Sequence, residues 1–367
     1  MPNSSIKTTV HDVLDPLTGT RHAIRWTAGA DILLAPALGR GEGRDIDGSD
    51  LWLLPPLYDA DAHLPFMPLG VRHSDVQRAL AGGIAQFNVA LPWQSARLHA
   101  LGDLAAEIGR AALPRIIPLL SVSPDEDSIG FAPWLREHAD EVREFTPPIC
   151  KLYSDDPNFE RNLDAIWAAG LEPMVWCWTQ QDLERLVARA KDQPLHHRHA
   201  TSSAMVALMR QATRATVQTS PHFLLLADGK RGALTVLPPP PPPESAASLA
   251  QVFLDQVDII VTDHNAPPPM GRPTGPGLQT QQHFVQTLLT LAERHDWPLD
   301  RVLAKATTAP ASLFGTTPPS GFLLVDPRQQ EATDRWTGQA PDRAPFEGLA
   351  LKGSVLAIGA AGRVELQ

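Results

Sequence analysis

The sequence predicts an α/β protein: a (β/α)8 TIM-type barrel with a small β-sandwich domain formed from both chain ends. The first ground is a repeated alternation of strand-like apolar runs and helix-period segments between residues 53 and 315, the pattern of a parallel sheet wrapped by helices. The second is that no glycine-rich phosphate loop follows any of these strands, which speaks against an open dinucleotide-binding sheet. The third is the placement of acidic, imidazole and amine side chains at strand ends, where barrels of this kind carry their sites.

The elements follow in order. Residues 1 to 50 are polar, with short alternating stretches such as His22-Ala-Ile-Arg-Trp26, and read as a few strands of a β layer. The run 51–57, Leu-Trp-Leu-Leu-Pro-Pro-Leu, continues into Tyr58-Asp-Ala-Asp-Ala-His63 and reads as one buried strand with a polar end. Strands are then expected over 84–90, 115–120, 149–153, 173–177, 195–199, 215–219 and 257–263. Helices are expected over 74–81, 96–111, 132–142, 159–169, 181–190, 203–213 and 247–255. Beyond residue 315, the segments 321–326 and 353–358 look like short strands able to pair with the N-terminal ones. The expected division is therefore 1–52 with 316–367 as the β domain, and 53–315 as the barrel.

Composition narrows the function. A chain of 367 residues with 43% hydrophobic and 20% charged residues supports a large core. The net charge of −10 disfavours nucleic acid and anionic membrane surfaces as partners. Two cysteines, Cys150 and Cys177, exclude a disulfide framework. With no apolar signal core in the first residues and no run long enough to cross a bilayer, a cytoplasmic location is expected. The proline run 238–243 forms polyproline II, as a stiff loop or an SH3-type ligand.

Asp61 and His63 end the first barrel strand and, two apart, point to one side. Lys151 lies in a later strand, Cys177 and His199 end others, and Asp263 ends the last. Carboxylate, imidazole and thiolate are ligands of zinc and its neighbours. Each also has an ordinary explanation: a loop polar pair, a core histidine, a rim lysine, a packed cysteine, a helix cap. Their joint placement at strand ends carries the site.

Several stretches, in order, resemble the amidohydrolase superfamily, and within it dihydroorotases and hydantoinases. They are Leu-Pro-Pro-Leu-Tyr-Asp-Ala-Asp-Ala-His (54–63), Ala-Gly-Gly-Ile-Ala-Gln-Phe-Asn-Val-Ala-Leu-Pro (81–92), His196-His-Arg-His199-Ala-Thr-Ser, Thr219-Ser-Pro-His-Phe-Leu-Leu-Leu226, Val261-Thr-Asp-His-Asn-Ala-Pro267, Thr308-Ala-Pro-Ala-Ser-Leu-Phe-Gly315 and Phe346-Glu-Gly-Leu-Ala-Leu-Lys-Gly353. The resemblance implies one or two metal ions, zinc or another divalent ion, held by Asp61, His63, Lys151, Cys177, His199 and Asp263. It implies a CO2-derived carbamate on Lys151 and Asp263 as catalytic base. Trp93, Trp178, His264 and Asn265 fall on the substrate side; Trp93, Trp176 and Trp178 would form a wall for a flat, uncharged ring, or pack the barrel.

The sequence departs from that pattern at Asp61 and Cys177, which stand where the family has histidine. It departs again at Pro65, Trp93 and Pro268, where an arginine, an asparagine and a histidine are expected. Losing the arginine and asparagine removes a carboxylate clamp, so dihydroorotate is not the expected substrate. Two functions follow. One is a divergent metal-dependent hydrolase opening a cyclic amide (imide, hydantoin or lactam), as a homo-oligomer. The other is a catalytically inactive dihydroorotase-like partner of aspartate transcarbamoylase. A buried lysine beside histidine and aspartate favours the enzyme, because an uncompensated buried charge is costly.

Overall fold

The computed structural model describes residues 7–27, 32–39, 43–64, 73–98, 101–108, 113–122, 128–226, 234, 236–266, 277–333, 343–360 and 363–367. Pro65 and Pro268 lie outside them. The strands are β1 (Thr8–Leu14), β2 (Arg21–Trp26), β3 (Leu33–Ala35), β4 (Arg44–Asp47), β5 (Trp52–Leu54), β6 (Leu57–His63), β7 (Ile84–Pro92), β8 (Arg115–Ser121), β9 (Ile149–Tyr153), β10 (Glu172–Trp176), β11 (Leu195–His197), β12 (Ala215–Thr219), β13 (Ile259–Ile260), β14 (His264–Asn265), β15 (Phe322–Glu331), β16 (Ala350–Ala360) and β17 (Arg363–Leu366).

They form two sheets. One draws on both chain ends in the order β17-β16-β15-β5-β1-β2-β3, with β4 paired to β1. Its core holds Val10, Val13, Ile24, Leu53, Phe322 and Leu324. The other is a curled parallel sheet in the order β13-β12-β11-β10-β9-β8-β7-β6-β14. β13 pairs with β12, while β14, three residues further on, pairs with β6. One chain segment thus links the two edges of the curled sheet.

The run 51–57 is not one strand. Its first part, β5, joins the antiparallel sheet beside β15, and β6 opens the parallel sheet. Pro55 and Pro56 stand between them. Proline has no N–H to give a ladder, so pairing stops there and the chain changes sheet. Of the helix expected over 96–111, the described residues lie in helices Trp93–Leu98 and Leu101–Ile108. The proline run ends inside a helix, Pro243–Gln256. Pro243 occupies its first turn, where a missing N–H costs nothing. Among the described residues no helix is long and apolar enough to cross a membrane.

Alternation along the parallel strands positions the site. Ile117, Ile149, Met174 and Ile259 form one apolar cluster with Tyr58 and Ala60. Two residues further along β9 and β10, hence on the same face, come Lys151 after Ile149 and Trp176 after Met174, while Asp263 follows the end of β13. A polar layer therefore rests on an apolar plug. The large second cluster, with Phe87, Leu152, Val217, Phe253 and Leu288, fills the space between the sheet and its helices.

Two outcomes are expected of this packing. A Cβ on Gly82 would lie 1.7 Å from the Gln281 carbonyl oxygen, whereas one on Gly39 meets nothing within 4 Å. Gly82→Ala should lower stability by more than about 2 kcal/mol and Gly39→Ala change it by less than about 0.5 kcal/mol, read from urea midpoints. At the start of β10, burial pushes the Glu172 carboxyl up from 4.5 to about 7, against a hydrogen bond from Thr216. The folded state then holds a proton that the unfolded chain has released. Stability is full below 4.5 and declines as pH rises towards about 7. Glu172→Gln should therefore be more stable than the parent at pH 8, by about 2 kcal/mol, and equal to it at pH 4.

Candidate active site

At the ends of the parallel strands, one buried carboxylate collects the polar groups. Asp61 is fully buried. Its Oδ1 accepts from Lys151 Nζ at 2.5 Å. Its Oδ2 accepts from Arg198 Nε at 2.9 Å and from Gln218 Nε2 at 2.7 Å. Burial works to raise the Asp61 carboxyl, but Arg198 and Lys151 together hold it well below the usual carboxylate range. Lys151 is itself fully buried. Burial and then Arg198 lower its ammonium to about 8, against the pull of Asp61, so the cation remains the main form at neutral pH.

His63 lies above this pair, its side chain 26% exposed. Its Nε2 is 3.0 Å from Arg198 Nη2 and 3.3 Å from Lys151 Nζ. Asp263 Oδ1 lies 3.7 Å from His63 Nε2 and 3.7 Å from His199 Nε2. Burial, then the Asp61 charge, pushes the Asp263 carboxyl up to about 8. Burial first, then Lys151 for His63 and Arg198 for His199, keeps both imidazoles neutral.

The backbone turns sharply at two of these residues. His199 has φ 59° and Asp263 φ 51°. A residue with a side chain enters this left-handed region at some cost, Asp and His more readily than most. His199 follows the end of β11 and Asp263 lies between β13 and β14. The register of β6 shifts between Asp59 and Ala62, which separates two neighbouring aspartates. Asp59 turns to the last strand segment and accepts from Thr262 N at 2.9 Å and Gln281 Nε2 at 2.9 Å. Asp61 turns to the site.

The residues singled out in the sequence divide. Asp61, His63, Lys151, His199 and Asp263 meet here. Cys177 does not join them: its sulfur sits in the main core, and burial pushes the thiol up to about 12, with Asp182 and Arg185 as its charged neighbours. It packs as a small apolar side chain among the core residues. Trp93 is fully buried against Phe131 and Trp134, so it fills the layer between strand and helices. The aromatic ledge consists instead of Trp178, 44% exposed, its ring tilted at 34° against Trp176 with centroids 4.3 Å apart, and Trp176 meets His199 edge-on at 5.8 Å. His264 is buried and its Nδ1 accepts from the backbone N–H of Thr280 at 3.1 Å, an anchoring bond. Asn265 lies in register with His63 across β14 and β6.

Three participants were not anticipated. Arg198 is 1% exposed and its guanidinium also lies 5.3 Å from the centroid of the Tyr153 ring. Gln218 ties Asp61 to His196, whose Nε2 is 2.9 Å from Gln218 Oε1. Asp59 binds the linking segment. The signal for Arg198 was present: an arginine inside a short, otherwise buried strand end needs a buried anion.

Asp61, His63 and Asp263 bring ligand atoms within 4.8 Å of one another, a spacing that could hold a metal ion. The atoms, however, are engaged. Both Asp61 oxygens and His63 Nε2 already face Lys151, Arg198 or both. A divalent cation does not fit this arrangement, because it would enter a place where two fixed cations hold its ligands. A carbamate on Lys151 fits no better: it would remove the ammonium bound to Asp61 and set one buried anion against another.

No family model and no curated protein matches the chain. Solved structures do. A D-hydantoinase matches over 99% of this chain and 95% of its own at 16% identity and TM-score 0.73. The dihydropyrimidinase from Brevibacillus agri matches over 99% and 95% at 16% identity and TM-score 0.72. The fold is that of the hydantoinases. The L-hydantoinase (dihydropyrimidinase) from Arthrobacter aurescens has it too, over 98% of this chain and 97% of its own, at 17% identity and TM-score 0.68.

Within this hydantoinase-type fold, the two aspartates of the site are expected to behave oppositely. Asp61→Asn leaves Lys151 and Arg198 buried without an anion and should cost about 3–5 kcal/mol of stability. Asp263→Asn replaces a carboxyl that burial already keeps mostly protonated at pH 7, and should change stability by less than about 1 kcal/mol. Chemical denaturation of the two variants at pH 7 reads the contrast.

Proposed function

We propose that this chain is a hydrolase that opens a small cyclic amide, an imide, hydantoin or lactam, and is not a dihydroorotase. The observation that supports it is the convergence of His63, His199 and Asp263 beneath the Trp176–Trp178 ledge. The shared fold with proteins named hydantoinase and dihydropyrimidinase agrees with it.

Ring opening needs a base for the attacking water, a donor for the carbonyl oxygen as it gains charge, and an acid that passes the water's proton to the ring nitrogen as the C–N bond breaks. Asp263 in its ionised form supplies the base, a form that gains ground as pH rises towards about 8, and the carboxyl so protonated then gives the proton to the leaving ring nitrogen. His63 supplies the donor from its partly exposed ring. Trp178 offers an apolar face to a flat ring. Arg198 is committed to Asp61 and cannot clamp a substrate carboxylate, which is why a neutral ring suits the site. No observation favours the inactive partner of aspartate transcarbamoylase.

Purified protein incubated with dihydrouracil, hydantoin, succinimide and lactams should convert at least one ring to its open acid, followed by chromatography. Asp263→Asn should lower kcat by about 10^2-fold or more. Turnover of none of these rings, or full activity in Asp263→Asn, would refute the proposal.

A further inference from the structure

The ligand atoms that a metal would use carry more information than the fold. Asp61 Oδ1 is held by an ammonium at 2.5 Å, and Oδ2 by a guanidinium at 2.9 Å and an amide at 2.7 Å. His63 Nε2 stands 3.0 Å from the same guanidinium and 3.3 Å from the same ammonium. Arginine and protonated lysine only donate. Nε2 is therefore the acceptor, and the ring's proton resides on Nδ1.

We infer that this centre is metal-independent, with Arg198 and Lys151 supplying the positive charge of metal ions and His63 presenting a neutral Nδ1–H as the electrophile. Charge supports it. Asp61 with Lys151 and Arg198 already leaves the buried cluster with one positive charge in excess. A divalent ion at the same ligands would add two more in a place with little water to screen them. Burial supports it as well. Arg198 is 1% exposed and Lys151 fully buried, and Asp61 is the acidic group that both contact among the described residues. Neither can swing out to admit an ion without stranding its charge. The neutral imidazole gains in turn: cations on Nε2 draw electron density from the ring and make Nδ1–H a stronger donor.

The electrophile role deepens the proposed ring-opening and rests on it; the absence of a metal requirement stands without it. The full-length protein, expressed with zinc in the medium, should retain well under one equivalent of metal by mass spectrometry. Its Tm should be unmoved by EDTA or added zinc. Nitrogen-15 spectra should show His63 as the Nδ1–H tautomer, and [13C]bicarbonate should give no carbamate signal. Arg198→Gln, which removes one of the two cations of the cluster and one of the two donors on each of Asp61 Oδ2 and His63 Nε2, should gain a zinc-dependent rise in Tm if it folds. One or more equivalents of zinc in the parent, lost in His63→Ala, would overturn the inference, as would a Lys151 carbamate signal. An Nε2–H tautomer would overturn the electrophile role. A zinc-free protein that opens no ring refutes the proposed function alone, and a zinc-loaded one that opens rings refutes this inference alone.

Discussion

A single buried carboxylate organises the polar end of this molecule. Asp61 lies between an ammonium and a guanidinium, all three removed from water. Such a triad is not a cheap source of stability, because desolvating three charges offsets most of their attraction. Its consequence is geometric. With two cations and one anion confined together, each has a single low-energy place. Gln218 and His196 extend the constraint along β12 and β11, and His63 is held above it by the cations that Asp61 fixes.

The fold makes that confinement possible. An apolar plug of Tyr58, Ile117, Ile149, Met174 and Ile259 closes the interior below the charges, so they can be neither solvated from beneath nor displaced inward. The segment between β13 and β14 ties the edges of the parallel sheet and carries Asp263 in a left-handed conformation over the triad. Asp59 holds that segment through Thr262 and Gln281. The link between the two edges of the sheet and the placement of Asp263 are thus one structural event.

Much of this was legible. Strand and helix periods differ, and long apolar-periodic stretches keep their identity whatever surrounds them, so β9 and β12 fall where the pattern puts them. The breaks were less legible. Pro55 and Pro56 stop a ladder, yet nothing local states that the chain then enters another sheet. Asp61, His63, Lys151, His199 and Asp263, singled out for their chemistry at strand ends, lie together in the structure. Trp93 and Cys177 were misplaced because both are as suited to packing as to a site, and only their neighbours, Phe131 and Trp134 in one case and the main core in the other, decide between the two.

The cluster of site residues was determined by the sequence itself: polar side chains ending apolar strands must converge where parallel strands end. What those side chains bind was decided only by the tertiary structure. Arg198 sits 137 residues from Asp61 along the chain, and no local pattern says which buried anion answers a buried cation. That pairing depends on the curl of the sheet and on the shift in β6 that turns Asp61 inward. It commits the apparent metal ligands to the protein's own charges.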